Sequence, residues 1–267
     1  MRERIRGLVG KQLIATVGIL SVALFAAKLG VSASASTYPA ISAKPDPRRL
    51  RTGHFVYRSI DNGKTVGKGQ ISIRRLESGN YEFLGQFDFE ADFKGYPTQR
   101  WSSVATSDFT PISASLTVIH ATVATPVFGL EYNRSQVTGS FHRKNYDAKA
   151  TKSVDAALPP YTYDQRIDWA VVLASVVETS QEFGFNVYDP GTGVSRVLAE
   201  VGPLERIEVP AGSFDAYRVV YRIEKAKATE KYTVFASRDL PRVSLREEFP
   251  NGSVDELIEV SGNVDGS

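Results

Sequence analysis

The stretch over residues 209–224, VPAGSFDAYRVVYRIE, places a tight-turn sequence between two runs in which apolar and charged residues alternate. Proline presets φ for a type I turn and glycine accepts the left-handed conformation that follows, so Pro210 and Gly212 predict a hairpin with a bulge. Because side chains alternate across a strand, one face of this hairpin should be apolar and the other charged. The apolar face carries Ile207, Val209, Tyr217, Val219, Tyr221 and Ile223. The sheet is therefore either covered by other elements on one face only, or curved so that its apolar face encloses the core.

Similar turn signals recur along the chain, with alternating runs between them. They are Asp61-Asn62-Gly63, Ser78-Gly79-Asn80, Asp189-Pro190-Gly191, Pro210-Ala211-Gly212 and Asn251-Gly252. Short strands that end in Gly, Asn and Pro turns are typical of antiparallel all-β structure. In YEFLGQFDFEADF, Tyr81, Phe83, Phe87, Phe89 and Phe93 share one face. This aromatic stripe is interpreted either as core or, in part, as the wall of a cavity.

One segment departs from this pattern. In YDQRIDWAVVLASVVETSQ, four apolar residues fall at i, i+3, i+4 and i+7: Trp169, Val172, Leu173 and Val176. Asp164 is placed to cap a helix there and Asp168 falls in or near its first turn, so the spacing predicts a helix. Because this helix is apolar almost all round, we expect it to be buried against the one-sided sheet.

The amino terminus predicts export. Arg2, Arg4, Arg6 and Lys11 precede an apolar run over residues 13–27, which is followed by the cleavage pattern Ala33-Ser34-Ala35. This is the order of a signal peptide, so we expect cleavage after Ala35 and a periplasmic protein; a retained leader is the alternative. Residues 1–35 carry five of the 32 basic and one of the 30 acidic residues, which leaves 27 basic and 29 acidic residues and a charge of −2 instead of +2. The excess of basic over acidic residues in the full sequence comes from the leader, and a nucleic-acid partner is not predicted.

The chain offers little conventional chemistry. It has no cysteine, so disulfides, thiolate nucleophiles and zinc–sulfur sites are excluded. Its histidines, His54, His120 and His142, are scattered, and no nucleophile or metalloprotease motif occurs. Asp88, Glu90 and Asp92 resemble a calcium cluster, but their spacing along a strand keeps the carboxylates too far apart for one ion. No catalytic residue, metal site or cofactor is predicted.

Three segments resemble a known family: VYRSIDNGKTVGKGQISI at residues 56–73, VGPLERIEVPAGSFDAYRVVYRI at 201–223, and YTVFASRDLPRVSLREEFPNGSVDELIEV at 232–260. The likeness is to the exported bacterial proteins grouped as domain of unknown function 3108, and the VPAG-x-F hairpin is its most specific part. Such proteins are similar in fold to lipoprotein-sorting carriers of the bacterial envelope. The resemblance implies no catalytic residues, and a shared fold does not transmit a function.

Residues and resemblance together predict a mainly β fold: a single curved antiparallel sheet, an unclosed barrel, with one or two helices packed on its concave face. Residues 1–35 are assigned to the signal peptide, 36–51 to a linker, 52–262 to a single β-rich domain and 263–267 to a tail. Membrane contact is expected at most through an uncleaved leader.

Function is predicted as non-enzymatic binding of an apolar or lipid-like ligand, or of an apolar segment of an envelope protein, in the concavity of the sheet. The candidate pocket residues are Trp169, Val172, Leu173, Val176, Tyr81, Phe83, Phe87, Phe89, Tyr217 and Tyr221. Two alternatives remain open. One is a structural or assembly factor of the envelope with a solid core and no ligand, and the other is an enzyme with an unconventional site in the pocket.

Overall fold

The computed structural model describes residues 45–89, 98–120, 123–142 and 151–262. The predicted signal peptide, most of the predicted linker, Phe93, Glu90 and Asp92, and the predicted tail lie outside the described residues. Within the described residues, no helix is both long enough and apolar enough to span a bilayer.

Strands dominate the described chain. The first eight are β1 (Gly53–Asp61), β2 (Lys64–Arg75), β3 (Tyr81–Phe89), β4 (Thr98–Ala105), β5 (Pro111–His120), β6 (Val123–Asn133), β7 (Gln136–His142) and β8 (Thr151–Ala157). The remaining seven are β9 (Thr162–Asp164), β10 (Glu182–Asp189), β11 (Gly193–Val209), β12 (Gly212–Lys225), β13 (Ala228–Ser237), β14 (Ser244–Glu248) and β15 (Val254–Ser261). Between β9 and β10 lie a 3₁₀ turn, Gln165–Ile167, and the helix α1, Asp168–Ser175.

All these strands belong to one sheet made of two meanders. From β1 the order runs outward through β2 to β8, and on the other side of β1 it runs from β15 back through β14 to β9. Neighbouring strands are antiparallel except β9 and β10, which are parallel. The end strands β8 and β9 are not paired with each other. The predicted mainly β fold with an unclosed, curved sheet is therefore confirmed.

The hairpin at residues 209–224 forms as predicted, but the register irregularity between its two strands lies between Val201 and Leu204 and not at the predicted bulge beside the turn. Val209 pairs with Gly212 across Pro210 and Ala211, and Gly212 has φ of +131°. The predicted face of β12 is buried at Val219, Tyr221 and Ile223. Asn62 and Gly63 likewise have φ of +49° and +75° between β1 and β2. Positive φ is costly for most residues but accessible to Gly and Asn, which is why these dipeptides mark the strand ends.

The helix forms where the apolar period predicts it but is shorter than the pattern. Asp164 accepts a hydrogen bond from the backbone N of Arg166 at 2.9 Å and so caps the 3₁₀ turn, not the α-helix itself. Val176 takes the extended conformation, with ψ of 122°, and ends the helix. Two β-branched residues in succession, Val176 and Val177, disfavour another helical turn. All eight residues of α1 are buried, as predicted.

Candidate functional site

The predicted pocket residues lie in the protein core or at its margin. Eight of the ten are buried, with exposures from 0% to 8%: Tyr81, Phe83, Phe87, Trp169, Val172, Leu173, Val176 and Tyr221. Phe89 and Tyr217 are half-buried. The rings of Phe87 and Phe89 meet edge to face at 4.6 Å, and Tyr221 stacks on Tyr232 at 5.0 Å. All the buried ones except Phe87 belong to one core cluster, against which Tyr217 also packs.

Trp169 borders a narrow gap on the inner face of the sheet. The gap is too small to admit a water molecule, and its lining includes Phe55, Tyr57, Ile73, Arg242 and Ser244. The indole Nε1 donates a hydrogen bond to the carbonyl oxygen of Arg166 at 3.1 Å, which fixes the ring orientation. Of the ten predicted residues, Trp169 is the one that lines this gap.

A buried ion cluster joins the two sides of the open seam of the sheet. Arg166, 5% exposed, donates from Nε to Asp164 Oδ1 at 2.6 Å and from Nη2 to Asp164 Oδ2 at 2.5 Å. Its Nη1 donates to Asp189 Oδ2 at 2.9 Å, and Nη2 also reaches the carbonyl oxygen of Tyr188 at 3.2 Å. Burial lowers the pKa of this guanidinium, but the charge and hydrogen bonds of Asp164 together with the charge of Asp189 outweigh burial, and the net shift is upward.

Two residues of β6 complete this cluster from the opposite meander. The Tyr132 hydroxyl donates to Asp164 Oδ2 at 2.5 Å, and the ring of Phe128 lies 4.5 Å from the Arg166 guanidinium carbon. Burial, followed by the negative charge of Asp164, raises the pKa of Tyr132 well above its usual range. We call Tyr132, Asp164, Arg166 and Asp189 the seam lock, because they bind β6 to the β9–β10 side without any strand pairing.

Beside the seam lock lies a cavity of about 520 Å³. It opens between the β4–β5 turn, the β6–β7 turn and the start of β9. Its lining residues are Thr106, Asp108, Thr110, Pro111, Ile112, Tyr132, Asn133, Arg134, Tyr161, Thr162 and Tyr163. Tyr132 belongs to both the seam lock and the cavity wall. None of the ten predicted pocket residues is among those that line this cavity.

The cavity wall is polar at defined points. Burial raises the pKa of Asp108, but hydrogen bonds from Thr106 Oγ1 and from Thr110 outweigh burial and lower it below its usual value. Asp108 is therefore a carboxylate at neutral pH, and burial together with that charge raises the pKa of Tyr163. Tyr161 at its rim has a positive φ of +57°, and so does Phe109, at +63°, which is buried between the lining residues Asp108 and Thr110. A non-glycine residue in this region stores strain that the surrounding contacts must hold in place.

Three further carboxyl groups have raised pKa values: Asp168, buried at the start of α1, and Glu247 and Asp255, half-buried and opposite each other on β14 and β15. Burial raises the pKa of Asp168 and of Asp255 to about 7 in each case, and raises that of Glu247 well above its usual value. Glu247 accepts a hydrogen bond from the Tyr221 hydroxyl at 3.0 Å, and Asp255 accepts one from Ser59 Oγ. No group of three or more His, Cys, Asp or Glu side chains in the described ranges has an arrangement that could hold a metal ion.

Sequence reasoning missed the seam cavity and the seam lock. The sequence contains one local signal for the seam lock, Asp164-Gln165-Arg166, in which an acid and a base lie two residues apart next to a predicted helix start. The remaining partners, Tyr132 and Asp189, lie 32 and 23 residues away in sequence. Their meeting depends on the curvature of the whole sheet.

Three solved structures are similar to this chain, and the first, with a TM-score above 0.5, supports the fold. A β-barrel-like protein of domain of unknown function DUF1849 from Brucella abortus is 8% identical and has a TM-score of 0.54, covering 80% of this chain and 98% of its own. A protein described as exported, with a YmcC-like fold, from Bacteroides fragilis is 11% identical, with a TM-score of 0.35 over 83% of this chain and 100% of its own. A protein described as a lipoprotein, from Parabacteroides distasonis, is 13% identical, with a TM-score of 0.30 over 82% and 100%.

Comparison with curated protein sequences gives no significant match. A family model matches residues 56–258, which contain all three segments that carried the resemblance except the last two residues of the third. That model is described as a protein of unknown function, and its description names no enzymatic activity. The match spans well over half of the sequence, and the chain therefore belongs to the DUF3108 family.

Proposed function

We propose that this protein is a non-catalytic component of the bacterial envelope that binds a partly apolar ligand in the cavity at the open seam of its sheet. The observation that carries the proposal is the cavity of about 520 Å³ beside the two unpaired sheet edges. Small-molecule sites are concave, largely apolar pockets of roughly 300 to 1,000 Å³ with a few placed polar groups, and this cavity has that size and mixture.

The lining favours an amphipathic ligand. Pro111, Ile112 and the rings of Tyr161 and Tyr163 supply apolar surface, while the Asp108 carboxylate and Arg134 supply opposite charges. Tyrosine rings bury a large apolar area and still offer a hydroxyl group for hydrogen bonding. A fatty acyl chain with a polar head, or an apolar peptide segment, has this combination of surfaces.

The cavity combines a fixed wall with an accessible rim. Tyr132 is held by its hydrogen bond to Asp164, at 2.5 Å, and cannot turn away without breaking the seam lock. Tyr161 at the rim is 49% exposed, which is unusual for a tyrosine in a well-packed domain. A preformed wall reduces the ordering cost of binding, and an exposed aromatic ring offers a first contact.

This position differs from the one expected from the sequence, which was the centre of the concave face around Trp169. There the helix belongs to the same core cluster as Tyr81 and Phe83, and binding by those ten residues remains a prediction. Export remains part of the proposal as well, because it depends on the leader at residues 1–35. Mature protein beginning at Ser36 in a periplasmic fraction would support it.

The test is a titration of the full chain with an environment-sensitive acyl probe, in the wild type and in Tyr161→Asn. Asparagine tolerates positive φ, so the variant removes the ring without adding backbone strain. We expect the apparent Kd to rise about tenfold, since the loss of one buried aromatic contact is worth roughly 1 to 2 kcal/mol. Thr110→Trp, which fills the cavity, should abolish probe binding.

Leu204→Asn is the matched control, because Leu204 is 41% exposed and does not line the cavity. It should bind the probe as the wild type does. If the wild type takes up no acyl probe, or if Thr110→Trp binds as well as the wild type, the proposed site is wrong.

A second candidate function, structural or assembly work in the envelope, is favoured by the edge strand β8. Five of its seven residues are exposed: Thr151, Lys152, Ser153, Asp155 and Ala157. An edge strand presents unpaired backbone groups that can add a strand from another protein. Protein that binds no acyl probe, yet cross-links to an envelope protein through a photoreactive residue at position 153, would favour this function.

A further inference from the structure

Arg242 sits between β13 and β14, under a short segment that we call the strap, residues 46–51. The strap contains the 3₁₀ turn Pro47–Arg49. The backbone N of Arg242 donates to the carbonyl oxygen of Arg49 at 2.5 Å, and the backbone N of Arg51 donates to that of Arg242 at 2.9 Å. These bonds satisfy the backbone N–H and carbonyl groups of Arg242, whereas its side chain takes part in neither.

The guanidinium group of Arg242 lacks the partners that a buried cation needs. The residue is 3% exposed, and neither Nε nor Nη1 has a hydrogen-bond partner. Its side-chain contacts are with Tyr217, whose ring centroid lies 5.4 Å from the guanidinium carbon and whose side chain also acts as a hydrogen-bond partner of the group. Of the described carboxylates, none forms an ion pair with Arg242. Ser244, 4% exposed, lines the same gap, and its Oγ is also unpartnered.

The strap adds positive charge at this place. Arg48, Arg49 and Arg51 accompany a single acidic residue of the strap, Asp46. Arg48 Nη2 pairs with Asp46 Oδ2 at 2.9 Å, while Arg49 Nε is 3.8 Å from the same oxygen. Burial, and then the charge of Arg49, lower the pKa of Arg242, although arginine stays protonated in any accessible pH range.

An unpaired buried cation is costly, and natural proteins pair such groups with a carboxylate, a phosphate or a metal-bound anion. We propose that Arg242 and Ser244 bind an oxyanion, a carboxylate or a phosphate group, at the gap beneath the strap. The guanidinium group presents parallel N–H donors along its Nε/Nη2 edge and its Nη1/Nη2 edge, the geometry that suits both oxyanions. The Ser244 hydroxyl adds a third donor. This gap shares no lining residue with the seam cavity, so the site is separate from the proposed function.

The anion reaches the site when the strap moves. In the present structure the gap does not admit a water molecule. The strap is attached to α1 by two bonds, from the backbone N of Asp46 to the carbonyl oxygen of Ala174 at 3.1 Å and from Arg49 Nη1 to that of Val176 at 2.8 Å. A small outward shift of so short a segment exposes Nε and Nη1, together with the apolar wall formed by Phe55 and Trp169.

The test measures thermal unfolding of the full chain against rising inorganic phosphate, with sodium chloride at equal ionic strength as reference. We expect a rise in Tm on the order of 5 to 10 °C at a phosphate concentration about 100 times Kd. Arg242→Met should lose this rise, while its own Tm without phosphate equals or exceeds that of the wild type. The matched control is Arg238→Met, since Arg238 lies four residues away and its side chain is 58% exposed. It should keep the full rise.

If Arg242→Met does not fold, Arg242→Lys serves in its place, because lysine keeps the charge and loses the fork. The apparent phosphate Kd should then rise at least about fivefold. A wild type that responds to phosphate no more than to chloride overturns the proposal. So does an equal response in wild type and Arg242→Met.

Two probes separate the sources of the anion. Inorganic phosphate represents a free anion, and octyl phosphate below its micelle concentration represents the head of a single-chain amphiphile. Octyl phosphate that binds at least about tenfold more tightly assigns the site to a lipid-like head, because its chain gains apolar contact with Phe55 and Trp169. Equal affinities assign it to a free anion. Failure of both contradicts the proposal and leaves acyl-probe binding in the seam cavity unaffected.

Discussion

Arg166 and Arg242 are both buried, with 5% and 3% of their surface exposed, yet their surroundings are opposite. Arg166 donates four hydrogen bonds, three of them to carboxylate oxygens of Asp164 and Asp189. Arg242 has an aromatic ring and no ion-pair partner among the described residues. Burial alone therefore does not say what an arginine does. The guanidinium group of Arg166 uses its donors within the protein and holds the fold together. That of Arg242 has two donors without a partner, Nε and Nη1, and is suited to a ligand.

Removal of Arg166 should have the largest effect on stability. Arg166→Met leaves Asp164, fully buried at 0% exposure, with no cation, and breaking a buried ion pair on one side costs about 3 to 5 kcal/mol. Urea denaturation of the two proteins measures the difference. The double variant Asp164→Asn/Arg166→Met should lose less than the sum of the single variants, because no buried charge remains unpaired.

Arg166→Lys is the conservative control and should fall between the wild type and Arg166→Met, since lysine retains a charge but cannot bond both aspartates with a planar fork. A loss below about 1 kcal/mol in Arg166→Met would contradict the role of the seam lock. The two buried arginines would then be equivalent, and the contrast between them would carry no functional meaning.

How much of the structure could be predicted from the sequence depends on how far apart in sequence the interacting residues lie. The turn at Pro210 and Gly212 and the apolar period of α1 depend on neighbours within a few residues, so they could be predicted with near-correct positions. The end of α1 at Ser175 was predicted less well, because propensity at Val176 and Val177 competes with a continuing apolar pattern. Helix ends are decided by such small differences.

The candidate site was less predictable for a physical reason. The aromatic stripe of β3 is evident in the sequence, but alternation says which side chains face inward, not whether they leave space there. Space at the seam arises because β8 and β9 do not pair, while Tyr132 and Asp164 still meet. Arg242 gives no sequence signal either. Its lack of a partner is visible only once the positions of all nearby carboxylates are known.

A second contrast is between Arg166 and the acid that follows it on the same segment. Asp168 is 6% exposed, and its pKa is raised to about 7, first by burial. The charged groups that face it are Arg166, Asp164 and Lys225, with Glu247 also within electrostatic range. Unlike Asp164, it forms no ion pair with any described residue; it accepts a hydrogen bond from the backbone N of Trp169 at 2.6 Å.

This arrangement predicts a pH dependence of stability. Because the folded-state pKa of Asp168 lies above its unfolded value of about 4, the native state binds more protons between these values, and stability falls as pH rises from about 4 to about 7. Asp168→Asn should flatten that part of the curve and recover on the order of 2 kcal/mol at pH 7. Urea midpoints at intervals of pH measure it.

Asp239→Asn, on an exposed turn, is the control and should leave the curve unchanged. An Asp168→Asn curve as steep as that of the wild type would show that the other carboxyl groups with raised pKa values, Glu247 and Asp255, account for the slope.

A substitution that removes no charge provides the reference for the variants that do. Gly212→Val should cost about 1 to 3 kcal/mol, since a β-branched residue fits a φ of +131° badly, while Gly212→Asn should cost less. Space is not the obstacle, because a Cβ atom there would lie 3.6 Å from the ring of Phe214. The loss should not vary with salt, whereas losses from charge removal should. Equal melting of the valine and asparagine variants would contradict the turn assignment.

The smallest effect is expected at a third kind of arginine, one that is exposed and paired. Arg206 Nη1 lies 3.2 Å from Asp215 Oδ1, and the two side chains are 66% and 47% exposed. Water screens such a pair and already solvates both charges, so Arg206→Gln should cost no more than about 0.2 to 1 kcal/mol. Asp215 also keeps Arg238, at 3.8 Å.

Urea denaturation of Arg206→Gln and of Arg166→Met separates the effect of burial from that of pairing, since both arginines have a carboxylate partner and differ in exposure. A cost near that of Arg166→Met would mean that pairing, not burial, decides what an arginine contributes here, and the unpaired guanidinium of Arg242 would then lose its significance as a mark of a ligand.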